Sequence, residues 1–280
     1  MAIARTLEVW NSWENTGEKM DNWSGVVLWE EGMKGYTEEK KGRVKYARFF
    51  LFNTKEELPY EVRYLTAADE LDFTGNENEF LKSLNTGEHL TKLTQLRRLT
   101  LSAYGLTELH PDFTKLRNLE YLNLGSNNFQ KIPADLNPTN FPKLRTLILN
   151  ANQRKNIYDL SNTIETNYGG FSDEEEFPRR MIEWDLDTLV LSVNYLRGSL
   201  PSMEDYEKYT EQDIIDADTL PRALIGTPKV MPHTKRFAIN LNRLTGQLPE
   251  WLLYHPALDW WAPFQLVFTQ EGKTWRATWP

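Results

Sequence analysis

The 280-residue chain contains no cysteine. That excludes disulfide frameworks, thiolate zinc sites, iron–sulfur clusters and every cysteine-nucleophile mechanism, although it does not fix the compartment. Histidine is scarce as well. His89, His110, His233 and His255 are dispersed, and none falls in a metal-ligand spacing. No run approaches the ~18 apolar residues of a spanning helix. The first ten residues lack the apolar stretch of a secretory signal, so the chain is expected to be cytosolic or a mature form. Basic residues number 32 against 40 acidic ones, a net charge of −8, which argues against a nucleic-acid partner. There is no G-x-S-x-G elbow, no G-x-x-x-x-G-K and no G-x-G-x-x-G. Carboxylates are numerous, but number alone specifies no acid–base pair. These absences predict a non-catalytic protein with no cofactor and no metal site.

What the chain does contain is a repeat. Leu119, Leu122, Leu124 and Asn127 fall in an L-x-x-L-x-L-x-x-N pattern, followed by Phe129 and the pair Ile132–Pro133. The pattern returns as Leu144, Leu147, Leu149, Asn152 and as Leu186, Leu189, Leu191, Asn194, Leu196, Gly198, Leu200, Pro201. It returns again as Phe237, Ile239, Asn242, Leu244, Gly246, Leu248, Pro249. An earlier copy, Leu96, Leu99, Leu101, Leu106, Leu109, has Tyr104 where asparagine is expected. Two degraded copies precede it: Ala68, Leu71, Phe73, Asn76, and Val44, Ala47, Phe49 with Leu58–Pro59.

The spacing carries its own physics. An alternating x-L-x-L-x segment reads as a short strand with its leucines turned inward. The asparagine amide can then satisfy backbone groups buried in neighbouring turns, which are costly to leave unpaired. No single copy can cover its own apolar face, so the copies must stack. Each buried leucine contributes roughly 1.5–3 kcal/mol to that stacking before entropy is counted. The prediction is an α/β solenoid with one parallel sheet of about seven strands and an irregular or helical opposite side.

Steps between equivalent positions from Ala47 to Phe237 are 24, 28, 23, 25, 42 and 48 residues. The last two steps therefore hold insertions, near 153–183 and 202–233, of the kind that sit on loops. The first contains Asn167-Tyr168-Gly169-Gly170 and the acidic run Asp173–Glu176. In the second, Glu204, Asp205, Glu207, Glu211, Asp213, Asp216 and Asp218 face Lys208 alone in the sequence. A calcium site or a dock for a basic partner competes there with a solvated helix that packs Ile214, Ile215, Leu220 and Leu224 inward; the helix is the expectation.

Residues between the inward leucines point outward. One outward column reads Tyr46, Glu70, Arg98, Tyr121, Thr146, Thr188, Arg236; the next reads Arg48, Asp72, Thr100, Asn123, Ile148, Val190, Ala238. The third reads Phe50, Thr74, Ser102, Gly125, Asn150, Ser192, Asn240. Seven strands at ~4.8 Å make a face roughly 30 Å across, a protein-sized platform. The candidate contacts are Tyr46, Arg48, Asp72, Arg98, Tyr121, Asn123, Asn150, Ser192, Arg236 and Asn240, because tyrosine and arginine dominate interface hot spots. Tyr46 and Phe50 could equally pack beneath an N-terminal cap.

The repeats resemble the leucine-rich-repeat family from about Val44 to Pro249, which implies a right-handed, horseshoe-shaped solenoid that binds through its concave face. The Leu-x-Gly-x-Leu-Pro variant at Leu196–Pro201 and Leu244–Pro249 resembles plant receptor ectodomains and bacterial surface proteins. Asp21-Asn22-Trp23-Ser24-Gly25-Val26-Val27 with Gly42-Arg43-Val44 is similar to their W-x-G-V N-terminal cap, and the missing cysteines favour a bacterial relative. The tail from Trp251 to Gly272 resembles the end caps of bacterial surface lipoproteins. The resemblance implies a Trp-rich cap at 1–43, repeats at 44–250 and a C-terminal cap at 251–280. It also implies a protein partner, a cell-surface or secreted setting, and a monomer. Nine of the ten tryptophans lie near the ends, Trp184 excepted; capping is their expected use, and a glycan platform at Trp260–Trp261 is the alternative. A hydrolase whose site is built from the insertions is the third reading.

Overall fold

A computed structural model describes residues 2–9, 19–52, 57–76, 85–152, 177–217, 220–258, 267–270 and 273–276. The repeats build one eight-stranded sheet in strict chain order: β1 (Val26–Leu28), β2 (Val44–Phe52), β3 (Glu70–Gly75), β4 (Arg98–Ser102), β5 (Tyr121–Asn123), β6 (Thr146–Ile148), β7 (Thr188–Val190) and β8 (Arg236–Ala238). Strands β2 to β8 are the seven expected parallel strands, one per copy. The eighth, β1, belongs to no repeat and has no counterpart in the sequence pattern. It runs antiparallel to β2, pairing Val26 with Ala47 and Val27 with Tyr46. Gly25, at φ 78°, turns the chain from Trp23 into β1, and its carbonyl accepts from the Arg48 N–H at 2.8 Å.

The register of the sheet is the register of the repeat. Leu71 lies beside Leu99, Leu99 beside Leu122, Leu122 beside Leu147, and Leu147 beside Leu189. All five are fully buried. The other side of the coil is made of short 3₁₀ turns at Tyr60–Tyr64, Leu90–Lys92, Pro111–Lys115 and Arg222–Leu224. Such tight turns suit the short return path between strands.

Asparagines complete the coil where the pattern places them. Asn127 Oδ1 accepts from the N–H groups of Tyr104, Gly105 and Leu106 at 3.1–3.2 Å. Its amide donates to the carbonyls of Leu101, Leu124 and Gly125. Asn194 Oδ1 accepts from the Asn152 N–H, and Asn242 Oδ1 from the N–H groups of Asn194 and Leu196. Each amide thus stitches its own turn to an adjacent one. The residue just before each such position is left-handed: Ala103 (51°), Ser126 (56°), Ala151 (55°), Val193 (61°) and Leu241 (56°). Leu51 (54°), just before Phe52, repeats the motif in β2. That conformation costs an L-residue roughly 1–2 kcal/mol, yet it aims the N–H of Ala103, Ser126, Ala151 and Val193 at a carbonyl of the next repeat.

The tryptophans with described side chains near the ends face inward. Trp29 is buried and donates its indole N–H to the Ala67 carbonyl at 2.8 Å, with Lys40 and Lys45 over its ring. Trp251 is buried against Phe237 and donates to the Pro201 carbonyl at 2.8 Å. At the N-terminus, helix α1 (Ala2–Thr6) and the turn after it put Ile3, Ala4 and Leu7 into the core. The Trp260–Trp261 pair, the Asn167–Gly170 turn and the Asp173–Glu176 run lie outside the described residues.

Candidate recognition face

The first two outward columns are continuous across the sheet, and the third is paired from Phe50 through Thr74 to Ser102. Tyr46 lies beside Glu70, Glu70 beside Arg98, Arg98 beside Tyr121, Tyr121 beside Thr146, and Thr188 beside Arg236. The central column, Arg48, Asp72, Thr100, Asn123, Ile148, Val190 and Ala238, is equally continuous. Pairing with Tyr46 puts Val27 on the same face. It is 41% exposed, so β1 widens the platform by one strand that no repeat pattern signalled.

Over β2 to β5 the face is charged and aromatic. Arg48 Nε lies 3.3 Å from Asp72 Oδ2, and its guanidinium sits 4.4 Å from the centre of the Phe50 ring. Arg98 repeats the arrangement, 3.2 Å from Glu70 Oε2 and 4.2 Å from the Tyr121 ring centre. Thr74 Oγ1 donates to Asp72 Oδ1 at 2.6 Å, steadying that carboxylate. Each arginine is held from two sides, by a carboxylate and by a ring. Burial pushes the Tyr121 phenol above its ordinary value, partly offset by Arg98; burial does the same to Tyr46. Of the two positions that could have lain under a cap, Phe50 is 43% exposed and Tyr46 half-buried.

Over β6 to β8 the face is small and uncharged apart from Arg236, with Thr146, Ile148, Asn150, Thr188, Val190, Ala238 and Asn240 half-buried. Ser192 departs from the expectation of a contact residue. It is 7% exposed, and its hydroxyl donates to Asn240 Oδ1 at 2.5 Å, steadying that asparagine from below. Asn123 Oδ1 accepts from the Gly125 N–H at 2.9 Å. A Cβ on Gly125 would collide with Asn150 Oδ1, which explains a glycine in that column. Arg236 is exposed and has no acidic partner among the described residues.

The second insertion differs from its sequence reading in two respects. In its helix, α3 (Glu211–Ala217; α2 is the short Arg179–Ile182 helix before β7), Ile215 points to solvent at 69% exposure, while Ile214 is half-buried and Leu224 fully buried. Successive residues on a helix point about 100° apart, so of the two adjacent isoleucines Ile214 turns toward the protein and Ile215 away from it. Nor does Lys208 neutralise the acids alone. Lys229 lies 2.6 Å from Asp213 and 3.6 Å from Glu207, and Arg179, from the end of the other insertion, lies 2.8 Å from Asp205. Lys229, with two hydrogen bonds from Thr210, holds Asp213 well below the usual carboxylate range. No group of acidic or histidine side chains among the described residues could hold a metal ion.

The histidines serve as structural groups. His110 Nδ1 accepts from the Asp112 N–H at the start of a 3₁₀ turn. His255 is buried; its Nδ1 accepts from the N–H groups of Ala257 and Leu258, and Nε2 meets the Met231 carbonyl at 2.9 Å. His233 pairs with Asp185, and His89 packs edge-on against Tyr60.

Residues 94–153 match the family model described as Leucine rich repeat. The fold is that of a leucine-rich-repeat solenoid. Among solved structures, the repeat protein is similar to a plant ice-binding protein at 19% identity, over 95% of this chain and 82% of that one, with a TM-score of 0.51. It is also similar to a leucine-rich-repeat protein of Leptospira interrogans (20% identity, 73% of this chain, 56% of that one, TM-score 0.35). A third likeness is the BIR2 ectodomain of Arabidopsis thaliana (16%, 88% and 75%, TM-score 0.32). At 19% identity the likeness to the plant ice-binding protein speaks for the fold alone, and the other two carry no argument. No curated protein sequence matches this chain. Among its described residues no helix is long and apolar enough to cross a membrane.

Proposed function

We propose that this protein is a non-catalytic recognition module that docks a protein partner on its concave face, at a bacterial cell surface or after secretion. One observation carries the reading. Arg48 and Arg98 stand on an open sheet, each already fixed between a carboxylate and an aromatic ring. Ordering a free arginine on binding costs about 0.5–1.5 kcal/mol, and here that cost is largely met before any partner arrives. In this reading Tyr46, Arg48, Asp72, Arg98, Tyr121 and Asn123 supply the contact centre. Asn150, Arg236 and Asn240 extend it toward the C-terminal end, and Ser192 orients Asn240. Residues 1–43 and 251–280 act as caps around repeats 44–250, and the working state is a monomer with no cofactor.

The test is affinity capture from surface proteins of the source cell and its neighbours, repeated with Arg98→Ala/Tyr121→Ala. Hot-spot truncation predicts a loss of about tenfold or more in affinity while the circular dichroism spectrum is unchanged. Undiminished capture by the double variant would remove the concave face from the reading. A glycan array that binds this protein while surface proteins do not would replace the protein partner with a carbohydrate.

A further inference from the structure

One charged residue stands immediately before each of β3 to β8, and in β2 immediately before Tyr46, which pairs with the first residue of β3: Lys45, Asp69, Arg97, Glu120, Arg145, Asp187 and Lys235. The signs alternate without exception. Backbone hydrogen bonds make these residues neighbours. The Asp69 N–H donates to the Lys45 carbonyl at 2.8 Å, Arg97 to Asp69 at 3.0 Å, Glu120 to Arg97 at 2.7 Å and Arg145 to Glu120 at 2.8 Å. The N–H of Thr188, next to Asp187, donates to Arg145 at 3.0 Å, and Lys235 donates to Asp187 at 3.0 Å. Side chains close the first rungs. Asp69 lies 3.7 Å from Lys45 and 3.8 Å from Arg97, and Arg97 grips Glu120 with two bonds of 2.9 and 2.7 Å.

We propose that this alternating rail fixes the order in which the repeats stack. The apolar pattern cannot do so alone, because L-x-x-L-x-L is nearly the same in every copy and one leucine layer fits another. A strand paired one copy out of turn, within the chain or with a second chain, keeps its leucines buried but sets Asp69 against Glu120, or Arg97 against Arg145. Correct neighbours attract along the whole line and skipped neighbours repel, which selects against mis-stacked and strand-exchanged forms. An isolated surface pair contributes little; in a line of neighbours an interior charge can meet two opposite partners, as Asp69 meets Lys45 and Arg97, and Arg97 meets Asp69 and Glu120, which makes the order collective.

Three full-length variants test this, read by melting temperature at about 20 and 500 mM NaCl, where screening differs strongly, and by the oligomer distribution after refolding from urea. The same-sign rail is Asp69→Lys/Glu120→Lys/Asp187→Lys. The inverted rail reverses all seven signs. The local swap is Arg97→Glu/Glu120→Lys. The rail predicts that the same-sign variant melts about 5 °C or more below the natural sequence at low salt, recovers part of that at high salt and refolds into more oligomer. It predicts that the inverted rail stays close to the natural sequence. The local swap stays destabilised, because it sets Asp69 beside a new carboxylate at position 97 and Arg145 beside a new cation at position 120. Recovery by the local swap would reduce the rail to one ordinary ion pair. An inverted rail as unstable as the same-sign one would show that alternation is not what matters. Should the same-sign rail not fold at all, the other two variants still decide between these outcomes.

Discussion

The two halves of the coil solve one packing problem in different ways. From β2 to β4 the asparagine position of the repeat holds two rings and one amide, Asn76: Phe52 and Tyr104 stand 5.5 Å apart where later copies place asparagine, with Phe73 edge-on to Phe52 at 6.5 Å and stacked on Phe49 at 5.0 Å. From β5 to β8 the same layer is a file of buried asparagines, Asn127, Asn152, Asn194 and Asn242. The outer face changes at nearly the same place, from arginine, carboxylate and ring to hydroxyl, amide and small aliphatic. Asn127 stands at the junction, since its oxygen serves the backbone around Tyr104. Rings fill volume but leave turn N–H groups to other partners; an amide satisfies those groups and fills less space. Either device closes a turn, and the polar one is the more demanding because each of its hydrogen bonds is buried.

That contrast can be broken from either side. Phe73→Ala removes a ring with two aromatic neighbours, and a loss of about 3–5 kcal/mol in urea unfolding is expected. A loss below about 1 kcal/mol would mean that the aromatic half is loosely packed. At the junction, Asn127→Ala strands three buried N–H groups, and about 3 kcal/mol or more should be lost. Hydrogen exchange should then quicken at Tyr104, Gly105 and Leu106 ahead of the rest of the sheet; uniform quickening would deny the junction its role.

The C-terminal half should also be the acid-sensitive one. Burial lowers the pKa of His255, whose Nδ1 already accepts two backbone hydrogen bonds. The unfolded chain therefore binds the proton more readily, and stability is full above about pH 6.5 and falls as the pH drops below it. His255→Gln should flatten that slope in melting curves between about pH 7.5 and 5; an unchanged slope would assign the sensitivity elsewhere. The smallest effect is expected at Val193, a β-branched residue at φ 61°. Asparagine tolerates that conformation better, so Val193→Asn should stabilise by about 0.5–1 kcal/mol. Destabilisation would show that the valine side chain contributes more through packing than its backbone costs.

Much of this architecture was legible because period and register are the same quantity in a solenoid. Once Leu99, Leu122 and Leu147 are aligned in sequence, their sheet neighbours are known, and so are the outward columns from Tyr46 to Arg236. Val27 was hidden because β1 belongs to no repeat. The burial of Ser192 and its bond to Asn240 were hidden because the two lie forty-eight residues apart in sequence.

By itself the sequence determined the coil: leucines spaced to the strand period, and an asparagine after most of the strands, admit few other ways of burying themselves. Only the tertiary structure decided which outward residues are held ready and which are used up. Whether Arg48 stacks on Phe50 or Phe49, and whether Lys229 or Lys208 answers Asp213, depends on distances between side chains that the fold brings together, and periodicity carries no record of those.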